Sequence, residues 1–363
     1  MKMKMERMVL LNALESVQPG LAMNETISQS GSFIFQNGMV MTFNNSVACR
    51  AKSHLDPSFT GAVRAKAFID LLRKLPDEVI TLSVSASSLV INGIDKRAKL
   101  RMESEITIPL ADLERPKKED WFPVHEEFND AVDIVQGVAG NDTSQFVGTC
   151  IHITPKWIEA TDGFQLARYR LETGVKEPVL VRKDALKHVT SLEVTRIAET
   201  PKWLHFRNPA GVTLSILRQL DPYPDLKKNL KVEGTPAALP KGLDAAVSAA
   251  SIFSKENADA NLLIISLKKG KLMITGIGVS GEYSEIRDVN YSGPGMSFTI
   301  PPEILTRVAT KHSDCVLTPK RLKVEGGPWC YVTSLGDPAA MIPNTDKQTE
   351  EAPKAQEEDS DEG

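Results

Sequence analysis

Three glycines near residue 280 have the spacing of a dinucleotide-binding loop. Gly276, Gly278 and Gly281 fit the pattern G-x-G-x-x-G and follow a strand-like run, 271–275. In such a loop the glycines let the backbone approach a pyrophosphate, and a helix must begin at the third glycine. Residues 282–287 instead alternate in the manner of a strand. The segment is therefore a weak candidate for a nucleotide site.

No other residues have the spacing of a catalytic or metal site. The four cysteines and six histidines are scattered along the chain, whereas metal ligands recur at short, fixed spacings. No paired carboxylates, nucleophile–base set or phosphate loop stands out. We therefore predict no catalytic residue, no metal and no cofactor, and we expect the cysteines to be buried thiols in a reducing compartment.

Composition indicates a globular protein with an acidic end. The chain has 363 residues, of which 41% are hydrophobic and 25% charged, and a net charge of −4. No apolar run of about 18 residues occurs, so no membrane span is expected, and residues 1–6 do not begin a secretion signal. Residues 346–363 carry eight acidic residues and two lysines, so the rest of the chain carries +2. We expect the tail, 345–363, to be disordered.

A hairpin in the middle of the chain carries polar residues beside a tight turn. The run Trp157–Ala160 ends at Thr161-Asp162-Gly163, and an alternating run, 164–170, follows. Asp-Gly between two such runs predicts a hairpin, because glycine adopts positive φ without steric cost.

Similar units recur before and after this hairpin. First helices are predicted at 7–17, 128–138 and 243–253, and second helices begin in the aligned stretches 63–71, 181–189 and 300–308. Hairpins are predicted at 32–43, 149–161 and 262–275. The fold class is therefore α+β, with helices laid on antiparallel sheet. Polar or Pro/Gly-rich linkers predict domains at 1–117, 118–235 and 236–344.

The stretch Ala160-Thr-Asp-Gly-Phe-Gln-Leu-Ala167 resembles A-T-D-G-H-R-L-A of bacterial DNA polymerase III beta sliding clamps. Tyr223-Pro224-Asp225, followed by two lysines, resembles the segment that ends the second domain of that family. The resemblance implies three tandem clamp domains, two chains closed head to tail into a ring, helices lining a hole for duplex DNA and sheet outside. It also implies a role as a polymerase processivity factor, located in the cytoplasm of a bacterial or phage-infected cell and associated with the nucleoid.

The second helices carry basic residues that this resemblance places toward double-stranded DNA. They should attract phosphates without reading sequence. A solvated helix face is the alternative for any one of them. The predicted DNA-facing residues are Lys66, Arg73, Lys74, Lys183, Lys187, His188, Arg307 and Lys311.

The resemblance also implies a pocket for short peptides from the replicative polymerase and the clamp loader. Phe164 and Gln165 stand where the family has His and Arg, so the peptide preference is left open, and Leu166, Pro224 and Val332 are expected to form an apolar floor. The predicted pocket residues are Val147, Thr161, Gly163, Phe164, Gln165, Leu166, Pro224, Lys228 and Val332.

Ring closure is expected between the first domain of one chain and the third of the other. We expect Lys99, Leu100 and Arg101 to face Glu282 and Glu285 of the partner chain, with opposite charges fixing the register. Two alternatives remain: a repeat or adaptor protein that binds no DNA, and a dinucleotide-binding enzyme.

Overall fold

The computed structural model describes residues 2–85, 87–110, 113–257, 261–311 and 313–341, without the side chains of 310, 311, 340 and 341. The predicted acidic tail lies outside the described residues. The chain divides into two compact units. The first comprises the described residues up to 230 together with 327–332, and the second comprises the described residues of 231–326 and those after 332.

Among its described residues before 231, the first unit contains sixteen strands and six α-helices. The strands are β1 (Lys2–Glu6), β2 (Ser32–Gln36), β3 (Met39–Phe43), β4 (Val47–Lys52), β5 (Gly61–Arg64), β6 (Val79–Ser85), β7 (Ser88–Gly93), β8 (Lys96–Glu103), β9 (Phe122–Pro123), β10 (Cys150–Thr154), β11 (Trp157–Thr161), β12 (Gln165–Arg170), β13 (Val179–Arg182), β14 (Arg196–Glu199), β15 (Trp203–Arg207) and β16 (Thr213–Leu217). The helices are α1 (Arg7–Ser16), α2 (Ala65–Lys74), α3 (Phe128–Gln136), α4 (Lys183–Leu186), α5 (His188–Ser191) and α6 (Lys227–Leu230).

The remaining elements follow in the C-terminal part of the chain. The strands are β17 (Thr235–Ala238), β18 (Leu263–Lys268), β19 (Lys271–Gly278), β20 (Gly281–Asp288), β21 (Asn290–Tyr291), β22 (Met296–Ile300), β23 (Asp314–Leu317), β24 (Arg321–Gly326) and β25 (Trp329–Ser334). The helices are α7 (Leu243–Ser254) and α8 (Pro302–Lys311). Residues 329–332 of β25 belong to the first unit.

Antiparallel pairing dominates both units, so the prediction of an α+β fold is confirmed. In the first unit one sheet has the order β1-β6-β7-β8-β5-β2-β3-β4-β16-β15-β14-β9, and β13-β10-β11-β12-β25 are neighbours in another. In the second unit β24-β23-β17-β21 are neighbours, and β20-β19-β18-β22 form a separate sheet. Within the described residues, no helix is long and apolar enough to span a membrane.

The three predicted first helices are present as α1, α3 and α7. Each buries a small residue at the same place in its stripe: Ala13, Ala131 and Ala246. A small side chain lets a helix lie close to its neighbours, and α1 packs on α2, α3 on α5, and α7 on α8. Phe68 is a buried residue of α2. The centroid of its ring lies 6.4 Å from that of Phe33 and 6.3 Å from that of Phe35.

The predicted second helix after residue 181 differs from expectation because it is two short helices. α4 ends at Leu186 and α5 begins at His188, with Lys187 between them in helical φ and ψ. The amide of Lys187 donates to the carbonyl of Lys183 at 2.9 Å, and that of Leu192 to His188 at 3.1 Å. One turn of helix therefore forms on each side of Lys187, which itself keeps helical φ and ψ.

A sheet joins the first two predicted domains. Strands β4 and β16 pair antiparallel, with Cys49 opposite Leu214 and Ala48 opposite Ser215. Residues 1–230 therefore belong to one compact unit, although we expected a domain boundary in the linker at residue 117. The second unit begins at Lys231, close to the other expected boundary. The three-domain division stays a prediction.

Candidate partner and nucleic-acid interfaces

The hairpin between β11 and β12 ends in a turn that is built around Asp162. Its Oδ1 accepts the amides of Phe164 at 2.9 Å and Gln165 at 2.7 Å, and its Oδ2 accepts the side-chain amide of Gln165 at 2.9 Å. Gly163 has a φ of +91°, which favours glycine. The Thr161 hydroxyl donates to the Gln165 carbonyl at 2.6 Å. This network fixes the turn and leaves the Phe164 ring outside it, 73% exposed.

The strand β25 brings a second segment to this turn. β25 lies beside β12, and the Tyr331 hydroxyl donates to Gln165 Oε1 at 2.6 Å. Val332 and Leu166 are both buried, at 4% and 5% exposure. Residues far apart in sequence therefore converge on the end of the hairpin, within the first unit.

The other predicted pocket residues differ in exposure. Val147 is half-buried in a 3₁₀ segment, Thr143–Thr149, while Pro224 and Lys228 are exposed. That segment lies against the turn, because a Cβ added at Gly148 would be 3.6 Å from the Thr161 carbonyl oxygen. The expected apolar floor of Leu166, Pro224 and Val332 is thus uneven: two members are buried and Pro224 is open to solvent.

Sequence reasoning missed a buried polar network beneath the turn. Glu159 receives hydrogen bonds from His152 Nδ1 at 2.8 Å and from Arg168 at 2.5 and 2.8 Å. Burial opposes ionisation of Glu159, but the contacts with His152 and Arg168 outweigh it and lower the pKa of the carboxyl. Tyr223 stacks on His152 with centroids 4.6 Å apart. The alternation of side chains along β10, β11 and β12 could have indicated this network, because it places His152, Glu159 and Arg168 on one face of the sheet.

Ion pairs and hydrogen bonds engage several of the predicted DNA-facing residues. On α2, Lys66 lies 3.4 Å from Asp70, and Arg73 lies 2.7 Å from Glu15. Lys183 is half-buried, and its Nζ donates to the Ala139 carbonyl at 2.7 Å. Such side chains already have partners, and exposed pairs add little stability.

The other five predicted DNA-facing residues differ in exposure and charge. Lys74 and Lys187 are exposed, and neither has an ion pair among the described residues. Burial, and then the charge of Lys187, lower the pKa of His188, so this ring favours the neutral form. Arg307 is half-buried on α8, and the side chain of Lys311 lies outside the described residues. Among the members of this set with described side chains, Lys74 and Lys187 therefore combine exposure with the lack of an ion pair.

The predicted interface residues lie on strands with one open edge. From Lys96 to Arg101, β8 pairs only with β7 among the described strands, because β5 meets it at Met102 and Glu103. In the second unit β20 is the last strand of its sheet and pairs with β19 alone in the described residues. Open edges expose unpaired backbone groups that can take another strand.

The two acidic residues of the predicted interface differ in their surroundings. Residues three apart on a strand lie on opposite faces, so Glu282 and Glu285 lie on different faces of β20. Glu285 also receives hydrogen bonds from Tyr283 at 2.6 Å and Arg287 at 2.7 Å. These bonds hold the pKa of Glu285 below its usual range. Glu282 is exposed and is the better candidate.

The glycines that fit the dinucleotide pattern have a packing role. Gly276 and Gly278 lie in β19 and Gly281 begins β20, so a hairpin stands where a nucleotide site needs a helix. A Cβ at Gly276 would lie 2.0 Å from the Ala250 carbonyl oxygen, and one at Gly278 would lie 2.3 Å from that of Phe253. The glycines let α7 approach the sheet. Among the described residues, no group of metal-ligating side chains occurs.

Solved structures with the same fold are bacterial sliding clamps. The DNA polymerase III beta sliding clamp of Pseudomonas aeruginosa bound to griselimycin is 16% identical, with a TM-score of 0.80 over 93% of this chain and 99% of that chain. The beta subunit of Streptococcus pyogenes DNA polymerase is 15% identical, with a TM-score of 0.79 over 92% and 99%. The beta subunit from Thermotoga maritima is 14% identical, with a TM-score of 0.78 over 92% and 98%.

No protein-family model matches the chain, and no curated protein matches it. At these identities the comparisons establish the fold alone. The expectation of a sliding-clamp fold is therefore confirmed.

Proposed function

We propose that this protein is a DNA sliding clamp, a processivity factor that encircles double-stranded DNA and tethers the replicative polymerase. The clamp fold over nearly the whole chain is the observation that carries the proposal. A closed ring holds DNA by topology, so it needs no base contacts and can slide. Weak phosphate attraction suits this role, since tight contacts would stop movement.

Two open strand edges support ring closure between two chains. We propose a head-to-tail homodimer in which β8 of one chain pairs with β20 of the other. Lys99 and Arg101 share one face of β8, and Leu100 lies on the opposite face. Because the two edges differ, each chain offers one of each, and two chains can close a ring. Glu282 is the acid proposed to meet this basic strand.

Attraction of the duplex is assigned to the helices of the three predicted domains. Lys74 is exposed on α2 and Lys187 is exposed between α4 and α5, and each supplies positive charge without an ion pair to any described carboxylate. Lys66, Arg73, Lys183 and Arg307 remain in the proposed set, where they act through the summed field of the helices. This attraction carries no sequence information.

A partner site is proposed at the turn of β11 and β12. The exposed Phe164 ring offers an apolar contact beside the polar Gln165–Tyr331 pair. Lys228 is exposed in the first unit and carries a positive charge suited to an acidic or carboxylate group. A short peptide from a polymerase or a clamp loader would bury one or two apolar anchors here, with modest affinity.

The decisive experiment separates topological binding from ordinary affinity. The chain is incubated with circular or linear duplex DNA and covalently crosslinked, and the DNA is then washed in denaturant. A ring closed around DNA stays on circles and slides off linear molecules. Equal loss from both, or equal retention on both, contradicts the clamp. An adaptor protein that binds no DNA would be lost from both.

A further inference from the structure

A cavity of about 140 Å3 lies in the first unit, and none of its lining residues belongs to the interfaces proposed above. It is lined by residues of β3, β4, β15 and β16 and of the segment before β9. A cavity of only about 10–15 Å3 is enough to hold one water molecule. Its charged and aromatic lining residues are Arg50, Glu114, Arg115, Trp121, His205 and Arg207.

Arg50 is unsatisfied in this cavity. Its Nε is buried and has no hydrogen-bond partner. Burial, and then the positive charges of Arg115 and Arg207, lower the pKa of the Arg50 guanidinium. A buried donor that lacks an acceptor costs free energy, and a buried charge without a counterion costs more. The site is thus built to receive an acceptor that carries negative charge.

Arg207 is held in place without being neutralised. Its guanidinium lies 3.8 Å above the Trp121 ring, and its Nε is 3.5 Å from the Thr213 hydroxyl. Among the described residues, none of the three arginines forms an ion pair. Arg207 is positioned by stacking and by its strand, while Arg115 is exposed in the linker, so both charges remain available to a ligand.

The charge of the lining can be counted at neutral pH. Three arginines carry +3, and Glu114 carries −1. The Glu114 carboxylate already accepts the Lys202 amide at 2.9 Å. His205 is neutral, because burial lowers its pKa to about 4. The described lining residues therefore carry a net charge of about +2, and a phosphate monoester carries about −1.5 to −2.

We propose that this cavity binds the phosphate group of a phosphate monoester. Arginine presents a planar fork that matches phosphate oxygens, and the Nε of Arg50 would gain its missing acceptor. Trp121 and the linker would cover the group from solvent. The phosphate belongs either to a small molecule or to the 5′ end of a nucleic acid, and the experiment distinguishes these two sources.

The test is calorimetric titration of the full chain with inorganic phosphate, against chloride at equal ionic strength. We expect saturable binding, at least about tenfold weaker in Arg50→Met because a charge-assisted hydrogen bond is lost. Glu114→Gln should bind more tightly, since a like charge is removed while the acceptor for Lys202 is kept. Arg170→Met, at an exposed arginine outside the cavity, should bind as the parent does. Absence of saturable binding by the parent, or unchanged binding by both cavity variants, overturns the proposal.

Thermal unfolding provides a readout that does not depend on ligand heat. Phosphate should raise the Tm of the parent and of Arg170→Met, because a ligand of the native state stabilises it. Without phosphate, Arg50→Met should keep or raise the Tm, since a half-buried charge with an unsatisfied, buried Nε has been removed. A lower Tm for Arg50→Met in chloride, together with an undiminished response to phosphate, means that Arg50 is structural and sinks the proposal.

Three further probes identify the source of the phosphate. They are adenosine monophosphate, an oligonucleotide with a 5′-phosphate end and the same oligonucleotide with a 5′-hydroxyl end. Binding of adenosine monophosphate but of neither oligonucleotide assigns the cavity to small phosphate esters. Binding that needs the 5′-phosphate assigns it to nucleic-acid ends. Equal binding of the two oligonucleotides, undiminished in Arg50→Met, contradicts a phosphate site.

Discussion

The hydroxyl of Tyr331 donates a hydrogen bond of 2.6 Å to the side-chain oxygen of Gln165. The two residues are 166 positions apart, and their contact joins the end of the β11–β12 hairpin to β25. It leaves the neighbouring Phe164 ring exposed. The partner site that we propose therefore consists of a rigid polar turn with one apolar side chain in solvent.

Phe164→Ala should weaken binding of a labelled peptide that ends in Leu-Phe by about tenfold, because exposed aromatic anchors concentrate binding energy. Fluorescence polarisation measures the change in Kd. This variant is a cleaner test than Leu166→Lys, since Leu166 is buried and a lysine there would carry a desolvation cost. Ile94→Ala, at another exposed apolar side chain, is the control. Unchanged Kd for Phe164→Ala would remove the turn from the peptide site.

The combination of Lys74→Ala and Lys187→Ala should weaken DNA binding and flatten its salt dependence. Each lost phosphate contact lowers the slope of log K against log salt by about 0.9. Filter binding at several salt concentrations measures it, and the effect should be equal on unrelated sequences. Lys52→Ala, at an exposed lysine on β4 rather than on a helix, is the control. A loss confined to one DNA sequence would argue against a sliding protein.

Arg101→Glu should weaken the homodimer, and adding Glu282→Lys should restore it. Adding Glu285→Lys should not, because Glu285 is bonded to Tyr283 and Arg287 within its own strand. Analytical ultracentrifugation of the parent and the variants gives the dimer affinity, and the double-mutant cycle isolates the pair. A parent that is monomeric or trimeric at micromolar concentration contradicts head-to-tail closure by two chains.

Stability should fall as pH decreases from about 6.5 to about 4, because His205 titrates there. Burial lowers its pKa to about 4, with Glu114 opposing and Arg207 adding to the shift. The unfolded state binds more protons in this window, so the contribution of neutral His205 to the free energy of unfolding is fully present above about pH 6.5. It is lost as the pH falls toward 4, by on the order of 3 kcal/mol in all. Urea unfolding across this range measures it.

The matched variants for this pH dependence are His205→Gln and His125→Gln. The first should flatten the dependence, since glutamine still bonds but does not titrate. The second should leave it unchanged, because His125 is exposed. A parent-like slope in His205→Gln would assign the pH dependence to other groups.

Gly276→Ala should lower the free energy of unfolding by about 1–3 kcal/mol, the usual cost of overpacking. The new Cβ would lie 2.0 Å from the Ala250 carbonyl oxygen, so α7 must move. Gly295→Ala is the control, since its nearest atom, the Leu267 carbonyl oxygen, is 3.6 Å away. Equal urea midpoints for the two variants would show that the close approach of α7 carries no cost.

Local patterns in the sequence determined the elements. Apolar residues at helical spacing place α2, and Asn37-Gly38 and Lys269-Gly270 make tight turns, where all four residues have positive φ. These features depend on neighbours within four positions, which a sequence displays directly. The α+β class and the antiparallel hairpins followed from them.

Tertiary structure decided which of these elements meet. The pairing of β4 with β16 joins two predicted domains, and the cavity of Arg50 and Arg207 exists only because of it. The spacing of Gly276 and Gly278 is compatible with a nucleotide loop, but the approach of α7 gives those glycines their role. Whether a basic residue is free or paired also depends on residues distant in sequence, as the ion pair of Arg73 with Glu15 shows. Contacts between residues far apart in sequence are set by strand pairing and packing, and periodicity along the chain does not record them.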